Sequence, residues 1–259
     1  MMSSTENLLP YYASDRKNIG FCVVIPFFKF GWAVLSLPFF SFVFCVAWSI
    51  LYNFEEANST HCSVPNYLPS ISAAIGSFSP QKYIWMLAIT FDFPLRMAIT
   101  RLYANYFMTV IDGRYTAMYR LTALMNYLEN IFLLGLTLVS STTQYTFHAI
   151  CFVSFLLSSM IYMGVSCFML KFRRKMPETN LEGRIIKWKF NFFMANVLCF
   201  FSAAYFFYRH NAYCEPGVYS IFALFEYGVV LSNMSFHILA VYDFYGRSVI
   251  VTSSGIQCS

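Results

Sequence analysis

Charged side chains are scarce. They make up 11% of the 259 residues, where soluble domains carry about 25%, and no stretch is polar enough to clothe a second core in a solvated surface. A water-soluble globule is excluded on that ground, and one membrane-embedded domain is the count that fits. Internal repeats and low-complexity segments are also missing, which removes support from an inverted-repeat, ion-coupled transporter. No small-residue cleavage site follows the first apolar stretch, so it does not read as a cleaved leader. The positive surplus is small, 17 Lys and Arg against 12 Asp and Glu. It falls almost wholly on one side of the expected membrane, which argues against nucleic-acid binding.

What is abundant is apolar and aromatic. Hydrophobic residues reach 58% and aromatics 20%, with 30 Phe and 19 Tyr, a composition suited to helices whose sides face lipid and whose ends carry amphipathic rings. A hydrocarbon core about 30 Å thick needs roughly 20 apolar residues of helix. Six runs qualify: Phe30 to Tyr52, Tyr83 to Tyr103, Met118 to Ser140, Phe147 to Leu170, Phe190 to Tyr208 and Val218 to Tyr242. The expected fold is an all-α six-transmembrane-helix bundle. Residues 1–29 form a tail with an interfacial lead-in from Ile19 to Lys29, 30–245 form the bundle, and 246–259 form a second tail. Pro38 and Pro94 fall inside spans and are expected to kink them.

Positive charge sets the orientation. Arg16, Lys17 and Lys29 lie in the first tail, Arg101, Arg114 and Arg120 around the second loop, and Arg247 in the last tail. The fourth loop holds Lys171, Arg173, Arg174, Lys175, Arg184, Lys187 and Lys189, while the opposite loops hold only Lys82 and Arg209. Both termini are therefore expected in the cytosol. Of eight cysteines, only Cys62 and Cys214 fall in lumenal loops. They can bridge there in an oxidising compartment, or remain two free or packing thiols. Asn58-Ser59-Thr60 is an N-glycosylation acceptor on the same side. His61 and His210 neighbour the two cysteines, but the spacing is not a zinc pattern. No metal and no cofactor is expected.

Ionisable residues inside spans are the informative ones. Asp92 and Arg96 lie in the second, Glu129 in the third and Glu226 in the sixth, with His237 towards its cytosolic end. Facing lipid, the first four would together cost on the order of 10 to 14 kcal/mol, so they are expected to turn inward. Tyr219, Glu226, Asn233 and His237 share one stripe, Asn126 and Glu129 another, and Asp92 with Arg96 is an i, i+4 pair. Such stripes also serve simply to hold helices together. A rise of about 1.5 Å per residue puts Asp92, Glu129 and Glu226 at one depth, about 13 to 16 Å below their lumenal edges. Arg96 is the one cation near that level, leaving two negative charges to be neutralised by protonation or by a ligand's amines. His237, roughly 30 Å down its helix, is out of Glu226's reach, and a lone histidine there is more often a packing residue than a base.

Two long blocks carry a family resemblance. Thr60-His61-Cys62-Ser63-Val64-Pro65-Asn66-Tyr67-Leu68-Pro69-Ser70 and the run from Tyr208 to Tyr219, continuing through Phe225-Glu226-Tyr227 and Leu231 to His237, resemble the post-GPI attachment to proteins factor 2 family, within the wider Frag/DRAM/Sfk-like group. The resemblance implies a multi-pass protein of the Golgi or endoplasmic-reticulum membrane that takes part in reacylating lyso-GPI-anchored proteins with a saturated fatty acid. Membrane lipid and an acyl donor such as acyl-CoA or a phospholipid would be its other partners. Under that reading Glu226 or Glu129 acts as general base, with His237 a further candidate for proton transfer. Asp92, Arg96, Asn126 and Asn233 orient the substrate, and Arg209, His210 and Glu215 meet glycan or phosphate at the lumenal rim. The His-x4-Asp spacing of many membrane acyltransferases is lacking, His237 and Asp243 being six apart. The alternative is a non-catalytic lipid-binding, presenting or lipid-moving factor that assists a separate acyltransferase.

Overall fold

The computed structural model describes residues 22–252 and 255–258. The expectations for residues 1–21, including the placement of Arg16 and Lys17, lie outside the described residues. Six long helices alternate in direction: α1 (Phe27–Tyr52), α4 (Gln81–Val110), α5 (Thr116–Leu138), α6 (Tyr145–Phe172), α7 (Asn180–Tyr213) and α8 (Val218–Ile238). Two short helices, α2 (Phe54–Asn58) and α3 (Ile71–Gly76), follow α1, and α9 (Ala240–Asp243) follows α8. Among the described residues, five helical stretches are long and apolar enough to cross a membrane: Phe27–Tyr52, Gly113–Leu138, Tyr145–Phe172, Asn180–Tyr213 and Val218–Asp243. α4 is long enough but is diluted by Lys82, Asp92, Arg96 and Arg101. α1 and α4 run unbroken through Pro38 and Pro94.

The outer surface is apolar, with Phe40, Leu51, Phe91 and Leu198 each about two-thirds exposed or more. In water such a belt would drive aggregation; against acyl chains it is the stable face. The interior is built by pairs. α7 packs along α8 and α5 along α6, and glycines set the closest approaches. A Cβ on Gly228 would lie 2.6 Å from Cys199 Sγ, and one on Gly135 3.0 Å from Cys151 Sγ.

The two ends of the bundle differ. At one, Arg114, Lys171, Arg174 and Lys175 gather, and Lys175 Nζ donates to the last carbonyls of α4. Here the expected interfacial lead-in proves to be a strand, β1 (Cys22–Pro26), paired antiparallel with β2 (Ser248–Thr252), which pairs in turn with β3 (Gly255–Cys258). The expected C-terminal tail is thus part of a sheet, and the fold is helical with this one β addition. Lys189 also departs from expectation. Counted with the basic loop in the sequence, it lies inside α7, 1% exposed, bonded to Asp243 and Tyr103. At the other end Cys62 is bridged to Cys214, tying the loop after α2 to the C-terminus of α7.

Candidate functional site

All four expected intramembrane ionisable residues point inward. Glu129 is fully buried, and Asp92, Arg96 and Glu226 are 1%, 8% and 5% exposed. They do not share one level. Glu129 Oε1 accepts from Asn233 Nδ2 at 2.9 Å, lies 2.9 Å from His237 Nε2, and sits 3.9 Å from Arg96 Nη2. Arg96 Nε donates to Asn130 Oδ1 at 2.6 Å, while Nη1 lies 3.9 Å from Asp92. Asn130 donates back to Asn126 and Thr100. Five expected residues (Asp92, Arg96, Asn126, Asn233 and His237) therefore collect around Glu129, joining α4, α5 and α8. The void beside them is about 10 Å³, the space of a single water. Among the described residues this network joins helices around a void too small for a lipid.

Glu226 stands apart, two turns up α8 from Asn233, a rise of about 10 Å. The expectation of three level carboxylates fails because the helices are not flush. Glu129 is nine residues from the end of α5, about 14 Å, whereas its partner His237 is nineteen from the start of α8, about 28 Å. α8 therefore begins well beyond the end of α5, and that step is filled by α3 and the loop before it.

The loop is stitched to α8. Ser220 Oγ accepts from the backbone N–H of Tyr67 at 2.7 Å, Tyr227 Oη donates to Pro69 O at 2.8 Å, and Tyr219 Oη donates to Ser70 Oγ at 3.0 Å. Ser70 caps α3, accepting from Ala73 N–H, and Glu226 Oε2 accepts from Ile71 N–H at 2.9 Å. Glu226 thus fixes α3 from below.

A pocket of about 370 Å³ opens over this arrangement, with Ser59, Ser70, Ser72, Tyr145, His148 and Glu226 among its lining. A second, apolar cavity of about 330 Å³ runs down between α6, α7 and α8 past Phe155, Leu156, Phe200 and Val229. Both take Glu226, Tyr145, Phe152, Phe207 and Phe222 as wall. A polar mouth therefore meets an apolar slot at one carboxylate, and each part falls in the usual range of ligand sites, about 300–1,000 Å³. A larger cavity, about 430 Å³, opens at the basic end between α6 and α7, but among the described residues Lys171 and Lys187 are its charged groups and no acid or histidine lines it.

The other expected rim residues are placed as follows. Arg209 and Glu215 form an ion pair with each other, both about one-third exposed. His210 is 1% exposed, packed between His61 and Tyr219. His61 lies with Cys62 and Cys214, whose thiols are consumed by the bridge. Asn58 is 5% exposed, its amide donating to Phe54 O at 2.8 Å, so the acceptor nitrogen faces inward. His148, which also lines the pocket, is in the sequence one polar residue at the start of an apolar run. A histidine three residues inside a helix that follows a Ser/Thr-rich turn was the available signal.

The family model Frag1/DRAM/Sfk1/Cwh43P N-terminal domain matches residues 26–247. The chain belongs to this family. The matched span opens at the end of β1 and closes just before β2, so it covers every helix of the fold. Among curated relatives, Post-GPI attachment to proteins factor 2 of Drosophila pseudoobscura pseudoobscura is 43% identical over 94% of this chain and 95% of its own length. The Caenorhabditis elegans protein of that name is 41% identical over 89% and 90%. Acyltransferase PGAP2 of Xenopus tropicalis is 42% identical over 88% and 92%. These matches establish membership in the post-GPI attachment to proteins factor 2 group. No solved structure matches this chain. Within this Frag1-family chain, the two blocks that carried the resemblance contribute Ser70, Tyr219 and Glu226 to the pocket wall, the rest of which comes largely from α3 and the first turns of α6.

Proposed function

We propose that this protein transfers a saturated fatty acyl group to the free glycerol hydroxyl of lyso-GPI-anchored proteins. The observation that supports it most is Glu226 on the wall shared by the polar pocket and the apolar slot. In a lysolipid the free hydroxyl lies where headgroup meets hydrocarbon chain. A lipid seated with its head in the pocket and its remaining chain in the slot brings that hydroxyl to Glu226. The carboxylate accepts its hydrogen bond and orients its oxygen towards the acyl carbonyl. The Glu129–His237 network holds α8, and with it Glu226, in register.

In this reading all six long helices span the membrane. The basic end and both chain termini face the cytosol and the disulfide end faces the lumen of the Golgi or endoplasmic reticulum. The acyl donor is an acyl-CoA or a phospholipid. Purified full-length protein in liposomes, given lyso-GPI and donor, is expected to form diacyl product. Glu226→Gln should slow it on the order of 10²-fold or more while Lys187→Gln, at the basic end of the bundle, changes it little. Product formed only when a separate acyltransferase is added would instead make this chain a presenting factor.

A further inference from the structure

We propose that Ser72 and His148 form a nucleophile and base pair, and that the acyl group rests on Ser72 Oγ between donor and acceptor. The inference builds on the acyl-transfer reading above and names how the transfer is divided.

Ser72 lies in α3 and His148 in the first turn of α6, 76 residues away, yet Ser72 Oγ is 3.3 Å from His148 Nε2. The other ring nitrogen fixes the tautomer. His148 Nδ1 is 2.8 Å from the carbonyl oxygen of Val139, the residue just past the end of α5. A carbonyl can only accept, so in the neutral ring Nδ1 carries the hydrogen and Nε2 keeps its lone pair for the Ser72 hydroxyl. Val139 O thus does for His148 what a carboxylate does in a triad, orienting the ring without adding charge.

The bland reading of a helical serine is a hydroxyl folded back on its own helix. Ser41, Ser158 and Ser232 do this here, each donating to a carbonyl three or four residues earlier. Ser72 Oγ instead faces an imidazole across two elements, at the wall of a 370 Å³ pocket that Glu226 also lines. α3 is held for this purpose at both ends: Glu226 accepts Ile71 N–H, and Ser49 Oγ donates to Ala74 O at 2.8 Å.

In the first step Ser72 Oγ bonds to the donor's acyl carbon and its proton passes to His148 Nε2. The acyl C–S or C–O bond then breaks, and the same proton goes to the departing thiol or lysophospholipid. In the second, the lyso-GPI glycerol oxygen, oriented by Glu226, attacks the acyl-Ser72 carbonyl and yields its proton to His148. The bond to Oγ breaks and Ser72 recovers a proton. One pocket serves donor and acceptor in turn, and no oxidant or metal enters the balance.

The test uses the full chain in detergent with alkyne-tagged stearoyl-CoA and, separately, an alkyne-tagged phosphatidylcholine, without acceptor. Label should appear on the peptide holding residue 72 as an oxyester stable to neutral hydroxylamine. Ser72→Ala should lose it, His148→Gln should cut its rate at least 10²-fold, and Ser72→Cys should convert it to a hydroxylamine-labile thioester. Melting temperatures matching the native chain exclude misfolding. Ser72→Ala protein that still makes diacyl lyso-GPI at the native rate overturns this inference alone. Native protein that makes none overturns the acyl-transfer reading beneath it.

Discussion

His237 Nε2 lies 2.9 Å from Glu129 Oε1, joining the middle of α5 to the far end of α8 inside the bundle. The carboxylate is wholly buried and the imidazole stacks on Tyr162 at 12° and 5.4 Å. Removing one member of such a pair leaves the other without its partner in a dry interior, which commonly costs about 3–5 kcal/mol.

We therefore expect Glu129→Ala and His237→Ala each to lower the melting temperature sharply, with the double variant far less harmful than the sum. The check is a double-mutant cycle on detergent-solubilised protein. Additive losses would show that the two side chains act separately.

Gly228 and Cys199 define the closest seam between α7 and α8. Gly228→Ala should force the helices apart at a cost of about 1–3 kcal/mol, because its new methyl would meet Cys199 Sγ at 2.6 Å. Cys199→Ala in the same chain removes the sulfur and should recover most of the loss. Thermal melts of the three variants measure this directly, and an unrescued double variant would locate the strain elsewhere.

Asn58 carries an acceptor triplet but turns its amide into the loop core. Glycosidase treatment of the protein made in cells is expected to leave its gel mobility unchanged, and Asn58→Gln should match the native chain. A mobility shift removed by that substitution would show that the sugar is added before this loop folds.

The six helices were legible because a bilayer demands long apolar runs, and the inward turn of Asp92, Arg96, Glu129 and Glu226 followed from the cost of exposing charge to lipid. Helix edges were less so. α4 continues to Val110 and α7 starts at Asn180, past the hydrocarbon boundary that hydropathy detects. The start of α7 was written in a capping box, Thr179 with Glu182. Depth was misjudged for a different reason. Counting from each helix's own edge assumes flush ends, and the offset of α8 against α5 is a tertiary fact set by the loop from Tyr67 to Ile71. The Cys62–Cys214 bridge was within reach because topology left two thiols on one side. The sheet was not, since five-residue apolar strands such as Cys22–Pro26 have no period that separates them from a helix lead-in. The Ser72–His148 contact was equally hidden, being made by elements 76 residues apart.

The pairing of Val24 with Ile250 has a consequence for biosynthesis. A ribosome adding about 5–20 residues per second exposes the first strand tens of seconds before its complement exists, so that edge must stay unpaired while the helices between are threaded into the bilayer. The sheet cannot close until Ser248–Thr252 has been made. A truncation just before Ser248 would leave the helices made but their opening strand without a partner, and quality control would have a ready mark by which to find it.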